Sequence, residues 1–155
     1  MPQMNKGGKF IFGRSIIRDG YKIMLPPQAV SEYDITCEGK VYLFTGSKST
    51  GGFCVTRKGL LLHSKIGNIL TDNRALSEYF LPPLEFVKYK GRSYCWAEIT
   101  DGGVITLDEK SAKFLGIEIG MKLLSIRSSD IAFTMGAKGP LIEKAENYSG
   151  EIPVF

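Results

Sequence analysis

A pattern that occurs twice constrains this chain more than any other feature of it. The run Asp19-Gly20-Tyr21-Lys22-Ile23-Met24-Leu25-Pro26, followed by Tyr33-Asp34-Ile35 and Gly39-Lys40-Val41, recurs as Asp101-Gly102-Gly103-Val104-Ile105-Thr106-Leu107-Asp108, then Leu115-Gly116-Ile117 and Gly120-Met121-Lys122. The match continues from Phe53 to Phe133, and from Lys58-Gly59-Leu60-Leu61 to Lys138-Gly139-Pro140-Leu141. An offset of roughly 80–82 residues points to one duplicated unit rather than a solenoid. Each copy reads as turn, short strand, one or two helical turns, glycine and strand. A unit of about 50 residues with four short strands cannot bury both faces of its own sheet. Two copies can close on each other and remove exposed edges. The expected fold is mainly β with short helices: a closed, pseudo-two-fold β-barrel made by tandem duplication. The 155 residues then form a single domain. Residues 9–64 are the first repeat, 65–92 a connecting segment with one helix, 93–144 the second repeat and 145–155 a loosely attached C-terminal tail.

Local signals fill in this outline. Residues 9–18 carry β-formers on both faces and predict a first strand, with Gly13 marking a bulge or a close backbone approach. Asp19-Gly20 is a hairpin turn signal, and residues 21–25 follow as a strand that Pro26-Pro27 ends, because proline has no N–H to give a ladder. A short helix over 27–33 turns Ala29, Val30 and Tyr33 inward. Strands are expected at 40–45, 53–56 and 60–64, the last two around a turn at Lys58-Gly59. A helix capped near Thr71-Asp72 carries Leu76, Tyr79 and Phe80. Alternation resumes over 85–89 and 93–100, where Trp96 reads as a core residue. In the second copy strands are expected near 103–107, 121–127 and 130–135. A helix capped by Asp108 turns Ala112 and Leu115 inward.

Composition narrows the class of protein. Hydrophobic content of 43% with 23% charged residues is that of an ordinary globular domain, and 18 glycines with 7 prolines suit many short strands joined by tight turns. A net charge of +4 permits a phosphate-bearing or acidic partner without requiring one. Cys37, Cys54 and Cys95 are odd in number and widely spaced, which predicts neither a disulfide framework nor a zinc site but buried or half-buried free thiols in a reducing compartment. No apolar run approaches the ~20 residues of a membrane span. The first residues lack the apolar stretch of a secretory signal. A soluble, cytoplasmic protein with no membrane partner and no cofactor is expected.

The order of strand, Asp-Gly turn, strand ending in Leu25-Pro26, short helix, Tyr33-Asp34-Ile35, glycine and strand resembles the AbrB/SpoVT swapped-hairpin barrels. Leu115-Gly116-Ile117 reproduces that family's Leu-Gly-Ile, and Tyr33-Asp34-Ile35 is its diverged equivalent. Related cradle-loop barrels, including double-psi barrels, share the same half-unit, and the choice among these topologies stays open. In the AbrB/SpoVT family one unit per chain forms an intertwined homodimeric barrel. The resemblance implies that this chain completes the barrel alone, and it leaves higher assembly open. It also implies a DNA-binding transcription regulator, with double-stranded DNA as partner. The residues placed toward DNA are Arg14, Arg18 and Lys22 on the first hairpin and Lys113 on the second copy's helix. The chain departs from the family pattern at Val30, Ser31, Val104 and Ala112, where family arginines stand. Only the first half is strongly basic, through Lys6, Lys9, Arg14, Arg18 and Lys22. The same charges also suit a solvated strand edge guarded by lysines.

A second candidate site is the loop Gly46-Ser47-Lys48-Ser49-Thr50-Gly51-Gly52. Successive backbone N–H groups in such a loop can form an anion nest, with hydroxyls adding donors and Lys48, Arg57 and Lys58 adding charge. Its likeness to a P-loop stops at composition, since Gly52 stands where the lysine belongs. The alternative is a flexible hairpin connection. Catalysis and metal binding have little support: His63 has no nucleophile or carboxylate at recognisable spacing, and the turn position of Asp19 and Asp101 accounts for both. The function expected is a non-enzymatic, AbrB-like DNA-binding or regulatory protein. The alternative is a binding module that takes a small anionic ligand or a protein partner on the barrel loops.

Overall fold

The computed structural model describes residues 9–46, 48–148 and 150–155. Strand β1 (Ile11–Ile16) slips register against its partner between Ile11 and Gly13. At Gly13, whose φ is +147°, a Cβ would lie 2.8 Å from the Phe155 ring and 3.0 Å from the Pro153 carbonyl oxygen. The bulge and the close backbone approach expected at this glycine therefore both occur. A 3₁₀ turn at Asp19–Tyr21 leads into β2 (Lys22–Met24). Helix α1 (Pro27–Tyr33) has proline at its start, where the missing N–H costs nothing, and ends at a left-handed Asp34. Strands β3 (Lys40–Thr45) and β4 (Phe53–Thr56) follow. Three short helices come next, α2 (Lys58–Leu61), α3 (Asn68–Asp72) and α4 (Arg74–Ser77), then β5 (Val87–Tyr89) and β6 (Arg92–Glu98). The last third is β7 (Val104–Thr106), α5 (Glu109–Leu115), β8 (Lys122–Arg127), β9 (Phe133–Gly136) and α6 (Pro140–Glu146).

The element order β-β-α-β-β-α is thus traversed twice, with α3, α4 and β5 between. Pairing crosses from one copy to the other. The seven-stranded sheet runs β1-β8-β9-β4-β3-β6-β5, and β2 pairs β7 in a separate two-stranded ribbon. Ile16 lies opposite Lys122 in β1·β8, and Lys40 opposite Glu98 in β3·β6. An offset of roughly 82 residues turns one pair into the other. The ladders that map onto themselves are β2·β7, about Ile23↔Ile105, and β4·β9, about Cys54↔Thr134. A pseudo-two-fold axis passes through those two pairs.

The mainly β architecture with short helices is as expected, but no sheet closes on itself. The Ser15 hydroxyl of β1 donates to the Met24 carbonyl, and backbone bridges link the ribbon to the segments flanking the large sheet at Arg18↔Lys22 and Ile99↔Ile105. The turns beside them put Gly20, Tyr21 and Gly103 at φ values of 75°, 59° and 81°, and left-handed backbone of this kind interrupts a ladder. The principal core lies between the large sheet, the ribbon and the two helices α1 and α5. It includes Phe12, Ile23, Leu25, Val55, Ile105, Ala112 and Phe133. Two smaller clusters cover the sheet's other face. One, under α2–α4, holds Tyr42, Phe44, Leu61, Ile69, Leu76 and Trp96. The other, under α6, holds Ile11, Leu124, Ile126 and Ala145.

Several local expectations change. Residues 58–61 are helical rather than part of a strand over 60–64, because Leu61 packs under the helical cover instead of entering a ladder. The expected helix start at Thr71-Asp72 is instead the end of α3. Asn73 caps α4, its side-chain oxygen accepting from the Leu76 N–H at 3.1 Å. The tail is not loose: Arg14 N–H donates to Pro153 O at 2.8 Å, Ile16 N–H to Phe155 O at 2.9 Å and Phe155 N–H to Arg14 O at 2.8 Å. Cys54 and Cys95 are buried free thiols, but Cys37 is exposed. Asp108 does cap α5, in a capping box with Ser111.

Candidate functional site

The first hairpin places its three basic residues differently. Arg14 is half-buried, opposite Leu124 of the outer cluster under α6, so it shares that face of the sheet. Arg18 and Lys22 are exposed and lie opposite one another across the turn, Arg18 N–H donating to Lys22 O at 3.0 Å. These two are brought together. Lys6 lies outside the described residues. On the ribbon, Ile23 and Ile105 point into the core while Lys22 and Met24 are exposed. Lys113 is exposed on α5 and lines a different feature, a cleft of about 580 Å³ between that helix and residues 82–86. Phe86 and Phe114 meet in this cleft at a centroid distance of 4.5 Å. No described contact joins Lys113 to Arg14, Arg18 or Lys22.

The 49–52 part of the loop packs against the second copy; Ser47 lies outside the described residues. The Thr50 carbonyl accepts from the N–H groups of Ala137 at 2.8 Å and Lys138 at 3.0 Å. Gly51 and Gly52 have φ values of 60° and 62°. A Cβ on Gly52 would lie 2.0 Å from the Met135 carbonyl oxygen, and one on Gly139 would lie 2.5 Å from the Ser49 carbonyl oxygen. Glycine is needed on both sides for the loop to seat against the strand end of the second copy. Lys48 is exposed. Arg57 and Lys58 are committed elsewhere. Arg57 donates to Glu38 at 2.9 Å and to the Tyr33 carbonyl at 3.1 Å, and Lys58 sits 4.3 Å from the Tyr79 ring centre.

Beside this loop is a cavity of about 300 Å³ at the Cys54↔Thr134 pair of β4·β9. Gly46 and Thr50 line one side, and Ser128, Ser129 and Thr134 another, with Phe44, Cys54, Ile131 and Ala132 as its apolar wall. Its one cation is Arg92, at the start of β6, whose guanidinium lies 5.4 Å from the Phe44 ring centre. Ser128 and Thr134 hydroxyls hydrogen-bond to each other, and Cys54 Sγ is 3.4 Å from Thr134 Oγ1. Sequence reasoning missed Arg92. It lies between the copies, far from the loop in sequence, and only the β3·β6 ladder, with Phe44 opposite Tyr94, brings it there.

The titratable groups offer little reactive chemistry. Burial pushes the Cys95 thiol up to about 12, with Asp108 adding to the effect, and burial also raises Cys54 against the lowering effects of Thr134 and Arg92. Such thiols are neutral and poorly nucleophilic. Tyr33 is raised to about 12, first by burial and then by Glu32. Its hydroxyl donates to the Ser129 carbonyl at 2.6 Å. His63 is exposed on a turn. Among the described residues no group of three or more His, Cys, Asp or Glu side chains could hold a metal ion, and no helix is long and apolar enough to cross a membrane. The chain matches no protein-family model and no curated protein.

Proposed function

We propose that the chain is a non-catalytic, AbrB-like regulatory protein whose two copies form one swapped-hairpin barrel, and that it binds double-stranded DNA through its first hairpin. The carrying observation is the crossed pairing: each copy's first strand lies beside the other copy's third strand, in matching register. It supports this reading because the resemblance implies an intertwining of that kind between two separate chains. The bridges Arg18↔Lys22 and Ile99↔Ile105 are the points through which the ribbon would complete the barrel. Arg18 and Lys22 form the exposed basic tip, and Lys113 lies outside their reach. The contact is therefore one-sided and mostly to phosphate. Gel shifts on mixed genomic DNA at increasing salt test this reading. Binding at low salt that falls with log salt is expected, together with a weaker slope and several-fold lower affinity in the Arg18→Ala/Lys22→Ala double variant. No shift at low salt, or a shift indifferent to both residues, overturns it.

A second reading has its own observation. The cavity bounded by Gly46 and Thr50, with Arg92 at its edge, favours a binding module for a small anionic ligand on the barrel loops.

A further inference from the structure

The large sheet ends at β1 on one side and at β5 on the other. The last residues of the chain bond to β1. At β5, Tyr89 and Arg92 face each other across the turn Lys90-Gly91, whose φ values are 47° and 83°. A two-residue turn of this kind makes Tyr89↔Arg92 a hydrogen-bonded pair and Lys88↔Ser93 a non-bonded one. Ser93 N–H accordingly turns away from β5 and donates to Thr45 Oγ1 at 3.1 Å. The Lys88 N–H and C=O turn the opposite way, out of the sheet, and among the described residues no backbone group bonds to them. We infer that β5 takes up an extended, acidic segment of another protein as an added strand, one large apolar side chain of that segment seating in the cleft between residues 82–86 and α5, against the Phe86–Phe114 pair.

Alternation decides where an added strand sends its side chains. Val87 and Tyr89 pack into the cluster under α2–α4, whereas Phe86 packs on the principal core, so Lys88 shares the Phe86 face. Guest residues directly opposite Phe86 and Lys88 project to that same face, and their backbone groups are the ones that meet the open edge. Strand pairing and side-chain insertion therefore fall on the same guest residues. The cleft on that face has a volume of about 580 Å³, with Pro82, Pro83, Leu84, Phe86 and Phe114 as its apolar lining. Phe114 is 54% exposed, so its ring offers apolar surface that the fold leaves uncovered. Lys110 and Lys113 line the cleft as well, and among the described residues neither they nor Lys88 form a salt bridge. The carboxylates against them are Glu85 and Asp108, and Asp108 is committed to the α5 capping box. This balance favours an acidic guest. It disfavours a second copy, because two β5 strands paired through their outward Lys88 groups set the two ammoniums opposite each other.

Fluorescence anisotropy of the full chain with the labelled acidic peptide DEVTFEVED tests the inference. Saturable binding is expected. Serine in place of the peptide's phenylalanine should weaken it about tenfold or more. N-methylation of the phenylalanine and both valines, which removes the donors to the edge, should abolish it. The lysine counterpart KKVTFKVKK should not bind. Phe114→Ala and Lys88→Glu/Lys113→Glu should each lower affinity several-fold or more with unfolding midpoints near that of the unaltered chain, since these side chains are largely exposed. Arg18→Ala/Lys22→Ala should leave peptide binding unchanged, which separates this surface from the basic tip. No binding of the acidic peptide overturns the inference. So does binding that survives N-methylation, binding indifferent to Phe114→Ala, or equal binding of the lysine counterpart. Dimerisation of the chain that excludes the peptide overturns it too, with a second copy as the occupant.

Discussion

Gly52 and Gly116 share a backbone conformation and differ in their surroundings, which makes them a matched pair. Their φ values are 62° and 72°, but a Cβ on Gly52 would meet the Met135 carbonyl oxygen at 2.0 Å, and one on Gly116 would meet nothing within 4 Å. Gly116→Ala is expected to cost about 1 kcal/mol, the left-handed penalty alone. Gly52→Ala should cost at least about 2 kcal/mol more, because the loop must lift off the second copy. Urea unfolding of the two variants checks the difference. The buried ionisable groups make a second prediction. Cys95 rises from 9.0 to about 12 and Tyr33 from 10.0 to about 12, so the folded state keeps protons that the unfolded chain releases. The stabilisation is complete below pH about 9 and is lost as pH rises toward about 12, at about 1.4 kcal/mol per pH unit for each group. Urea midpoints should fall steeply over that range, and Cys95→Ala should flatten the fall. At this scale some roles were legible in sequence: Gly13, Asp108 and Trp96 sit where bulge, cap and core chemistry place them. Cys37 and Arg92 were not, since thiol exposure and a cavity's one cation depend on which strands come to lie beside them.

At the scale of elements, the outer edge of β1 is closed by the last residues of the chain. Deleting residues 153–155 removes the three hydrogen bonds that Arg14, Ile16 and Phe155 make there, and the ring packed over Gly13. A loss of about 1–3 kcal/mol is expected, with concentration-dependent association through the bared edge. Thermal unfolding and light scattering across a dilution series read the two effects. Short strands and capped helices were readable because alternation, Asp-Gly turns and prolines act within a few residues. Helix α2 was not, since Leu60-Leu61-Leu62 after a glycine suits a strand as well as a helical turn. Its packing under the outer face of β3 decides between them. The tail carries almost no pattern, and its position follows from an unpaired edge 140 residues upstream, by roughly that count.

For the molecule as a whole, duplication was legible in the residues themselves, whereas crossed pairing was expected only through the family resemblance, because ladders within or between copies would use the same buried residues. Four ladders join the copies, β1·β8, β2·β7, β3·β6 and β4·β9, against β3·β4 and β8·β9 within them. Residues 1–64 expressed alone should therefore give an unfolded or self-associated fragment. Mixing with residues 65–155 should restore one cooperative transition. A folded monomeric fragment, seen by ultracentrifugation and circular dichroism, would contradict this. The crossed pairing also sets a timetable. On the ribosome β1 is made before β8, the strand it must lie beside, by roughly 110 residues, about five to twenty seconds at ordinary rates of synthesis. Through that interval Ile11 and Phe12, both destined for the interior, lack the β8 ladder, although Phe10 and Tyr33, which pack on Phe12, are already made. A nascent chain in that state exposes apolar strand residues of the kind that chaperones bind.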